Sequence, residues 1–382
     1  MKQTKICHVI DSSNHNRLLY NSLKLSDRQR LEHTVISLAA RGPLHTQMNE
    51  LGVETLSIDC LSRKNYPSAI MRLARFMRKR GFDIVQVHSF EGSIVGLFAA
   101  FLARVPVRIF SGHHSHEVPL YASRKLMLAD GFLSKRLATH VVAWSANMRD
   151  IFVNSFHVPD KRVAVIHHGM DLDAWARQSD VENDLRTELG LSDKIVFGTV
   201  GRLFWVKDLE RLVNVFAEIA RDRDDLALLI VGEGEDREKL QRLITSSGVT
   251  GKIFLTGKRD DIASVMNTFD VYVHTALAES FGLVLVEALA LGKPIVSSRV
   301  GIAEEIITEG ENGYLFEPGD TAGLSQALDR AVASRSRFDE MGNSGKAKAA
   351  RFSIAETQAV CDRYYISLTG DSCLVSSLER HN

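Results

Sequence analysis

The sequence contains few of the residue types that mark specialised classes of protein. Its 382 residues include four cysteines and seven prolines, and no two cysteines form a CxxC pair. Such sparse cysteines exclude a disulfide scaffold and a zinc ribbon, and the low proline count excludes a proline-rich linker. Long hydrophobic runs are also missing. The longest, residues 94–103, covers about ten residues, whereas a membrane-spanning helix needs about 20.

The sequence also lacks the features of an exported protein. The first apolar run, which begins after Lys5, is too short for the core of a signal peptide. Thiols without a disulfide framework are typical of a reducing compartment. We therefore expect a cytoplasmic protein.

The chain has no net charge, but its charged residues are unequally distributed between its two halves. The 47 basic residues balance 47 acidic ones, which argues against a nucleic-acid coat and gives no reason to expect a nucleic-acid partner. Residues 1–173, however, carry a formal charge of +9 and the remainder −9. The first half is therefore suited to an anionic partner.

Short apolar runs alternate with segments of helical length in both halves of the chain. We predict buried strands at residues 6–10, 34–38, 55–58, 84–87, 107–110, 140–143, 195–200, 226–231, 253–256, 271–274 and 294–297. This alternation predicts an α/β fold with two parallel sheets covered by helices. The length also favours two domains, which we place at residues 1–173 and 174–352, followed by a C-terminal helix and tail at 353–382. In such folds, ligands bind at the carboxyl ends of the strands.

One predicted helix is strongly basic. Residues 63–80 contain seven lysines and arginines, no acidic residue and interleaved apolar side chains. A basic amphipathic helix can lie on an anionic membrane surface. It can equally be a crossover helix whose solvated face happens to be basic, and the sequence leaves both interpretations open.

A turn in the second half carries side chains suited to a phosphorylated ligand. Gly201 and Arg202 follow a predicted strand, and Lys207 stands at the start of a predicted helix. Glycine lets a ligand approach the backbone, and cations beside a helix N-terminus suit a diphosphate. Taken alone, the stretch could also be an ordinary turn with two surface cations.

The next strand ends in a GxG motif at residues 232–234. It lacks the third glycine of a dinucleotide fingerprint, and Glu233, Glu235 and Asp236 would repel a pyrophosphate. The motif therefore predicts a tight turn, and it disfavours a dinucleotide-dependent oxidoreductase.

Two glutamates eight residues apart form the third and strongest pattern. Glu279 lies in a loop after a predicted strand, and Glu287 lies within an apolar run that follows Gly282. A carboxylate in such a run needs a partner, because an unpaired buried charge is costly. Sugar hydroxyls would serve as partners, and so would an internal arginine or lysine.

The stretch Glu279-Ser-Phe-Gly-Leu-Val-Leu-Val-Glu287 resembles the E-x7-E signature of the retaining glycosyltransferases of family 4. Motifs at 201–207, 229–234, 254–262, 270–274 and 312–316 are similar to those of the family and occur in the same order. The resemblance covers nearly the whole chain and is closest from about residue 195 to 320. It implies the GT-B fold, in which two Rossmann-like doubly wound domains face a central cleft.

The resemblance also implies roles for charged residues. Arg202 and Lys207 match the cations that hold the donor diphosphate and neutralise the leaving group, which would make a metal ion unnecessary. Glu287 matches the carboxylate that binds the donor ribose. Lys258 and Arg259 lie where the family contacts the nucleobase.

The donor sugar would lie near Glu279. Backbone amides of the following loop would bind the sugar or phosphate; they belong to Phe281, Gly282 and Leu283. From the first half, His113 matches a histidine that reaches towards the donor sugar. Plain loop histidines are the second interpretation of residues 113–117, and a metal site is the third, because the run alone fixes no ligand geometry.

The chain departs from the family pattern after its first strand. Residues 11–15 replace the glycine-rich loop that often cradles the donor phosphate. We therefore assign no phosphate contact to this loop.

The sequence thus predicts a retaining, metal-independent glycosyltransferase without a cofactor. Its donor would be a UDP or GDP sugar, and its acceptor a glycan or a lipid-linked glycan of surface polysaccharide or lipopolysaccharide biosynthesis. The basic helix would allow peripheral attachment to the inner face of the cytoplasmic membrane. A nucleotide-sugar epimerase of the same fold is the alternative.

Overall fold

A computed structural model of the chain describes residues 3–60, 62–112, 124–180 and 185–370. The chain divides into two compact units, Met1–Met170 together with Ile354–Asn382, and Asp171–Ser353. The chain therefore leaves the first unit once and returns to it near the carboxyl end.

The first unit is built from alternating strands and helices. They are β1 (Thr4–Ile10), α1 (Arg17–Leu25), β2 (Leu31–Ser37), α2 (Pro43–Glu50), β3 (Glu54–Ser57), α3 (Tyr66–Arg80), β4 (Ile84–Val87), α4 (Phe90–Ala103), β5 (Val107–Ser111), α5 (Arg124–Phe132), β6 (His140–Ala143), α6 (Ala146–Asp150) and β7 (Val163–Val165).

The second unit repeats this alternation. Its elements are α7 (Leu172–Ser179), α8 (Leu185–Glu188), β8 (Ile195–Val200), α9 (Leu209–Ala220), β9 (Leu226–Val231), α10 (Arg237–Ser246), β10 (Ile253–Gly257), α11 (Ile262–Asn267), β11 (Val271–His274), α12 (Leu283–Ala290), β12 (Ile295–Ser298), α13 (Ala303–Ile306), β13 (Gly313–Phe316), α14 (Thr321–Ala333) and α15 (Phe338–Ala349). The chain then re-enters the first unit as α16 (Ile354–Leu368).

Both sheets are parallel and doubly wound. Among the described residues, the first sheet has seven strands in the order β3-β2-β1-β4-β5-β6-β7, and the second has six in the order β10-β9-β8-β11-β12-β13. Strand order therefore reverses between β1 and β4 and again between β8 and β11. Crossovers leave these strand pairs in opposite directions, which opens a crevice at their carboxyl ends. The predicted α/β class with two Rossmann-like doubly wound sheets is confirmed.

Local sequence explains where the elements form and stop. All six side chains of β9 are buried, as expected for a central strand of a sheet covered on both faces. Helix α3 has a proline in its first turn and ends at Gly81, whose φ of +64° lies in the left-handed region that favours glycine. No helix of the described residues is both long and apolar enough to cross a membrane.

The predicted strands appear with shifts of a few residues at their ends, but the sequence analysis missed two strands and gave no helix for the polar segment that follows Met170. The edge strands β7 and β13 have three and four residues, too few for a clear periodic signal. The polar segment that follows Met170 contains α7 and α8. Helix α7 begins where Asp171 accepts a hydrogen bond from the Ala174 amide at 2.9 Å.

Gly198 on β8 provides a test of this packing. A Cβ atom at residue 198 would overlap the ring of Phe269, whereas a Cβ at Gly201 would have Lys207 Cε, at 3.9 Å, as its nearest neighbour. We predict that Gly198→Ala lowers the free energy of unfolding by about 1–3 kcal/mol, because the buried ring must move. The matched variant Gly201→Ala should change it by less than about 1 kcal/mol. Urea unfolding checks both values, and equal losses would contradict the packing described.

Candidate functional site

The second unit has a pocket at the point where its strand order reverses. Its lining comes from the carboxyl ends of β8, β9 and β11 and from the loops after β8 and β11, and includes Thr199, Gly201, Arg202, Lys207, His274 and Thr275. This is where doubly wound sheets bind ligands. The structure therefore brings the predicted Arg202 and Lys207 to one pocket.

Close approach of two loops explains the glycines beside this pocket. A Cβ at Gly232, whose φ is +143°, would overlap the carbonyl of Gly201, and one at Gly234 would overlap the carbonyl of Leu203. The Leu203 amide also donates a hydrogen bond to the Glu233 carbonyl at 2.9 Å. The GxG motif thus serves backbone packing between two turns, in agreement with the predicted tight turn.

One of the pocket's lining residues, Lys207, belongs to an ion pair. Lys207 Nζ is 2.6 Å from Glu279 Oε2, and His274 Nε2 is 3.7 Å from the same oxygen. Two hydrogen bonds hold the Lys207 loop against the end of β11. Thr275 Oγ1 donates to the Lys207 carbonyl at 2.7 Å, and the Leu277 amide donates to the Val206 carbonyl at 2.8 Å.

The ion pair changes how Glu279 and His274 bind protons. Burial tends to raise the pKa of Glu279, but the positive charge and hydrogen bond of Lys207 outweigh it and hold that pKa below its ordinary value. Burial, helped by the nearby Lys207, lowers the pKa of His274 to about 3. His274 Nε2 is buried without a hydrogen-bond partner among the described residues. A charged pair and a neutral imidazole therefore lie side by side at the pocket's Lys207 and His274.

Arg202 lies at the exposed edge of the same pocket. Its guanidinium is 2.6 Å from the Glu235 carboxylate and stacks over the ring of Phe204 at 5.2 Å. Both members of the ion pair are about two-thirds exposed, so the interaction is weak and easily exchanged for another anion.

A left-handed glycine and hydrogen bonds to backbone carbonyls determine the conformation of the E-x7-E stretch. Gly282 has a φ of +86° and directly precedes α12. The Phe281 carbonyl accepts a hydrogen bond from the Ile302 amide at 2.8 Å, and the Phe281 side chain is buried. Leu283 and Glu287 are half-buried, and the Glu287 carbonyl accepts from Trp175 Nε1 at 3.1 Å. Hydrogen bonds from Ile302 and Trp175 thus hold the stretch against two other parts of the second unit.

Of the predicted residues that the structure describes, Arg202 and Lys207 line the pocket, and the others do not. Lys258 is exposed, while Arg259 donates to the Asp261 carboxylate through Nε at 2.8 Å and Nη2 at 2.6 Å. His113 lies outside the described residues. Among the residues that the structure describes, no group of three or more histidine, cysteine, aspartate and glutamate side chains is arranged to hold a metal.

The first unit has a larger cleft at its own reversal point. Strands β1 and β4 end there, and Asp11, His88 and Ser89 line it. Helix α16 supplies the opposite side, including Gln358 and Tyr365. The sequence analysis missed this contribution of α16, as it missed His274 in the other unit. The sequence offered one indication of a functional role for His274, namely its position at the end of a predicted strand.

Comparison with known proteins identifies the family. The model "Glycosyltransferase Family 4" matches residues 16–174, and "Glycosyl transferases group 1" matches residues 181–348. Two curated relatives align over most of their length. The UDP-Gal:alpha-D-GlcNAc-diphosphoundecaprenol alpha-1,3-galactosyltransferase of Escherichia coli is 28% identical over 69% of this chain and 70% of its own. The capsular polysaccharide biosynthesis glycosyltransferase CapM of Staphylococcus aureus is 22% identical over 91% and 92%.

A solved structure shows the same fold. Anabaena Alr3699/HepE in complex with UDP superposes with a TM-score of 0.79 at 22% identity, over 95% of this chain and all of that one. Two doubly wound sheets of this kind define the class of GT-B proteins. The chain belongs to the family 4 type of glycosyltransferases.

The Lys207–Glu279 pair provides a test of the site's electrostatics. Removing one partner leaves a mostly buried charge, so we predict that Lys207→Met lowers the free energy of unfolding by about 1–3 kcal/mol. The double variant Lys207→Met/Glu279→Gln should recover most of that loss. Chemical unfolding at pH 7 measures both values.

The contribution of the Lys207–Glu279 pair to the free energy of unfolding should depend on pH. Because the folded state holds the pKa of Glu279 below its ordinary value, the pair stabilises the fold above about pH 4.5 and loses this effect as the pH falls through the lowered pKa. The double variant should therefore lose less stability than the wild type over that range. If the free energies of unfolding of the wild type and the double variant changed with pH in parallel, the pairing would be contradicted.

Proposed function

We propose that the protein is a retaining, metal-independent transferase that moves a sugar from a nucleotide-diphosphate sugar to a glycan or lipid-linked acceptor. The observation that carries the proposal is the pocket at the reversal point of the second sheet, where Arg202 and Lys207 lie beside a buried neutral His274. Two cations at a strand-end pocket suit a diphosphate.

In this proposal the donor diphosphate binds at the pocket of the second unit. The exposed Arg202 exchanges Glu235 for a phosphate oxygen, and Lys207 shares its charge between Glu279 and the diphosphate. Both cations stabilise the negative charge that develops on the leaving group, which is the contribution that a metal ion makes elsewhere.

The other donor contacts follow from the E-x7-E stretch. Glu279 and the amides of the next loop bind the sugar, and Glu287 accepts hydrogen bonds from the ribose hydroxyls. The base lies near Lys258 and Arg259, and His113 approaches the donor sugar. Retention of configuration then arises by attack of the acceptor hydroxyl on the face from which the diphosphate departs.

The relatives support the choice of substrates. HepE has also been solved in complex with UDP-glucose, with a TM-score of 0.77 at 22% identity, and the Escherichia coli relative is named for UDP-Gal and a diphosphoundecaprenol-linked sugar. We therefore propose a UDP sugar as the first donor to test and a GDP sugar as the second. The acceptor would belong to surface polysaccharide or lipopolysaccharide assembly.

Replacing the proposed donor contacts tests the reaction. We predict that Lys207→Ala and Glu287→Ala each lower kcat/KM for transfer by at least about 100-fold, because each removes a group held in place for the donor. Lys239→Ala is the matched control, since Lys239 is an exposed lysine that pairs with Glu210. A thermal-shift screen with UDP and GDP chooses the donor base for the assay, because a ligand that binds the native state alone raises its stability.

The assay uses labelled donor with and without a mixture of oligosaccharide and lipid-linked acceptors. Label transferred to acceptor with its anomeric configuration retained supports the proposal. Full activity in both variants, or an isomerised donor formed without acceptor, would overturn it.

A surface of the first unit fits peripheral attachment to a membrane. Arg72, Arg75 and Lys79 are exposed on α3. Beside them, Arg78 Nη2 donates to the Leu102 carbonyl at 2.6 Å, at the end of α4 where Phe101 and Leu102 expose 51% and 42% of their surface. Cations that surround exposed apolar side chains suit the interface of an anionic bilayer, so we propose that this surface docks there.

Neutralising the basic surface tests the attachment. At about 1 kcal/mol for each cation near an anionic bilayer, the triple variant Arg72→Gln/Arg75→Gln/Lys79→Gln should bind vesicles about 100-fold more weakly. The control neutralises three exposed cations of the second unit, Arg237, Lys239 and Arg242. Flotation with vesicles containing anionic lipid measures both, and equal binding of the two variants would exclude α3 as the anchor.

A further inference from the structure

The loop between β1 and α1 carries a carboxylate at the cleft of the first unit. Asp11 is half-buried and lines this cleft, in the loop that stands where the family pattern often has glycines. Its backbone amide donates a hydrogen bond to Ser89 Oγ at 3.2 Å. Its carboxylate forms no hydrogen bond or ion pair with the residues that the structure describes. A ligand in the cleft can therefore bond to this carboxylate.

The backbone holds Asp11 in position. The Leu38 amide donates to the carbonyl of Ile10, the residue before Asp11, at 2.8 Å. Ser89, which accepts from the Asp11 amide, has a φ of +66°, a costly conformation for a residue other than glycine. Strained residues of this kind cluster at ligand sites. The backbone of Ser89 is thus a second indication, independent of the cleft itself, that a ligand binds beside Asp11.

Asn16, at the other end of this loop, supplies a hydrogen-bond donor. Asn16 caps helix α1, because its Oδ1 accepts from the Leu19 amide at 2.9 Å. Only the oxygen of a side-chain amide accepts hydrogen bonds, so the contact with Leu19 identifies the other terminal atom as the donor Nδ2. Asn16 lines the same cleft as Asp11, and its Nδ2 has no partner among the described residues. The loop therefore presents one acceptor group and one donor group to a ligand.

Polar side chains from β4 and α16 in the same cleft are already bonded within the protein. Gln86 donates to Ser111 Oγ at 2.6 Å and accepts from the Tyr365 hydroxyl. Gln358 accepts from the Ser22 hydroxyl. These groups are held by each other, whereas the two polar side chains of the β1–α1 loop keep hydrogen-bonding capacity for a ligand.

The charge of the cleft suits a neutral ligand. The described residues that line it include no lysine or arginine, and Asp11 is their only carboxylate, although the first half of the sequence carries a formal charge of +9. An anionic ligand would meet a like charge at Asp11 and lose affinity. A hydroxyl group both donates and accepts, so two neighbouring hydroxyls of a sugar can bond to the carboxylate and the amide together.

We propose that Asp11 and Asn16 select an uncharged terminal sugar on the acceptor of the proposed transferase. Asp11 accepts a hydrogen bond from one hydroxyl of this sugar, and Asn16 Nδ2 donates to a neighbouring oxygen. The charge of Asp11 rejects a terminal sugar that carries a carboxylate. The role as acceptor rests on the proposed function, but binding of the sugar at this cleft is measured without any transfer.

Glycan binding in the absence of donor tests the site. The full chain is applied at pH 8, above the ordinary pKa of histidine, to an array of neutral oligosaccharides and the same oligosaccharides with the terminal sugar oxidised to a uronic acid. The wild type should bind a neutral oligosaccharide about 100-fold more tightly than its uronic-acid counterpart. Asp11→Asn should bind the neutral one about tenfold more weakly and discriminate by less than about tenfold. Glu50→Gln, which removes an exposed carboxylate of α2, should match the wild type.

Asn16→Asp separates recognition from structure. Aspartate caps a helix as well as asparagine does, so the variant should unfold at the same urea concentration as the wild type. It has no Nδ2 donor and adds a negative charge to the cleft. It should therefore bind the neutral oligosaccharide about tenfold more weakly and discriminate more strongly against the uronic acid. The two variants thus change the discrimination in opposite directions, which a loss of structure would not do.

Transfer kinetics connect the site to the reaction. With the bound oligosaccharide as acceptor, Asp11→Asn should raise the acceptor KM about tenfold and leave the donor KM unchanged. Three results would overturn the site: no glycan binding by the wild type, equal binding of neutral and uronic-acid oligosaccharides, or the wild-type discrimination in both variants. Binding of a neutral oligosaccharide by a protein that transfers no sugar would refute the proposed function and leave the site standing.

Discussion

In a parallel sheet, each crossover must carry the chain across one face before the next strand begins. Where two neighbouring strands send their crossovers in opposite directions, no helix covers the strand ends between them. This constraint acts once in each unit of the chain, at β1 and β4 and at β8 and β11. Both candidate sites exist because the backbone leaves these ends open, and the residues that follow the four strands determine what each site can bind.

The two sites differ in their electrostatics. The pocket of the second unit keeps charge available, with Lys207 paired to Glu279 and Arg202 at its exposed edge. In the first unit, burial lowers the pKa values of His8 and His33, whose rings lie within hydrogen-bond distance of each other at 3.0 Å. The first arrangement suits a phosphorylated ligand.

The sequence predicted those parts of the structure that depend on local pattern. Buried strands were visible as apolar runs, and Arg202 and Lys207 were visible because a strand end and a helix start bracket them within seven residues. The meeting of Lys207 with Glu279 depends on how β8 and β11 pair, which no local pattern encodes. The hydrogen bond from Ser26 to Asp362 on α16 gave no signal, because it joins residues 336 apart in the chain.

The return of the chain at α16 has a topological consequence. The Ile354 amide donates a hydrogen bond to the Met170 carbonyl at 2.9 Å, so the exit from the first unit and the re-entry into it are adjacent. Residues 171–353 are therefore an insertion that leaves and rejoins its host at one place. For engineering, we expect that a short linker can replace the second unit, whereas a cut after residue 353 removes α16, which lines the cleft of the first unit.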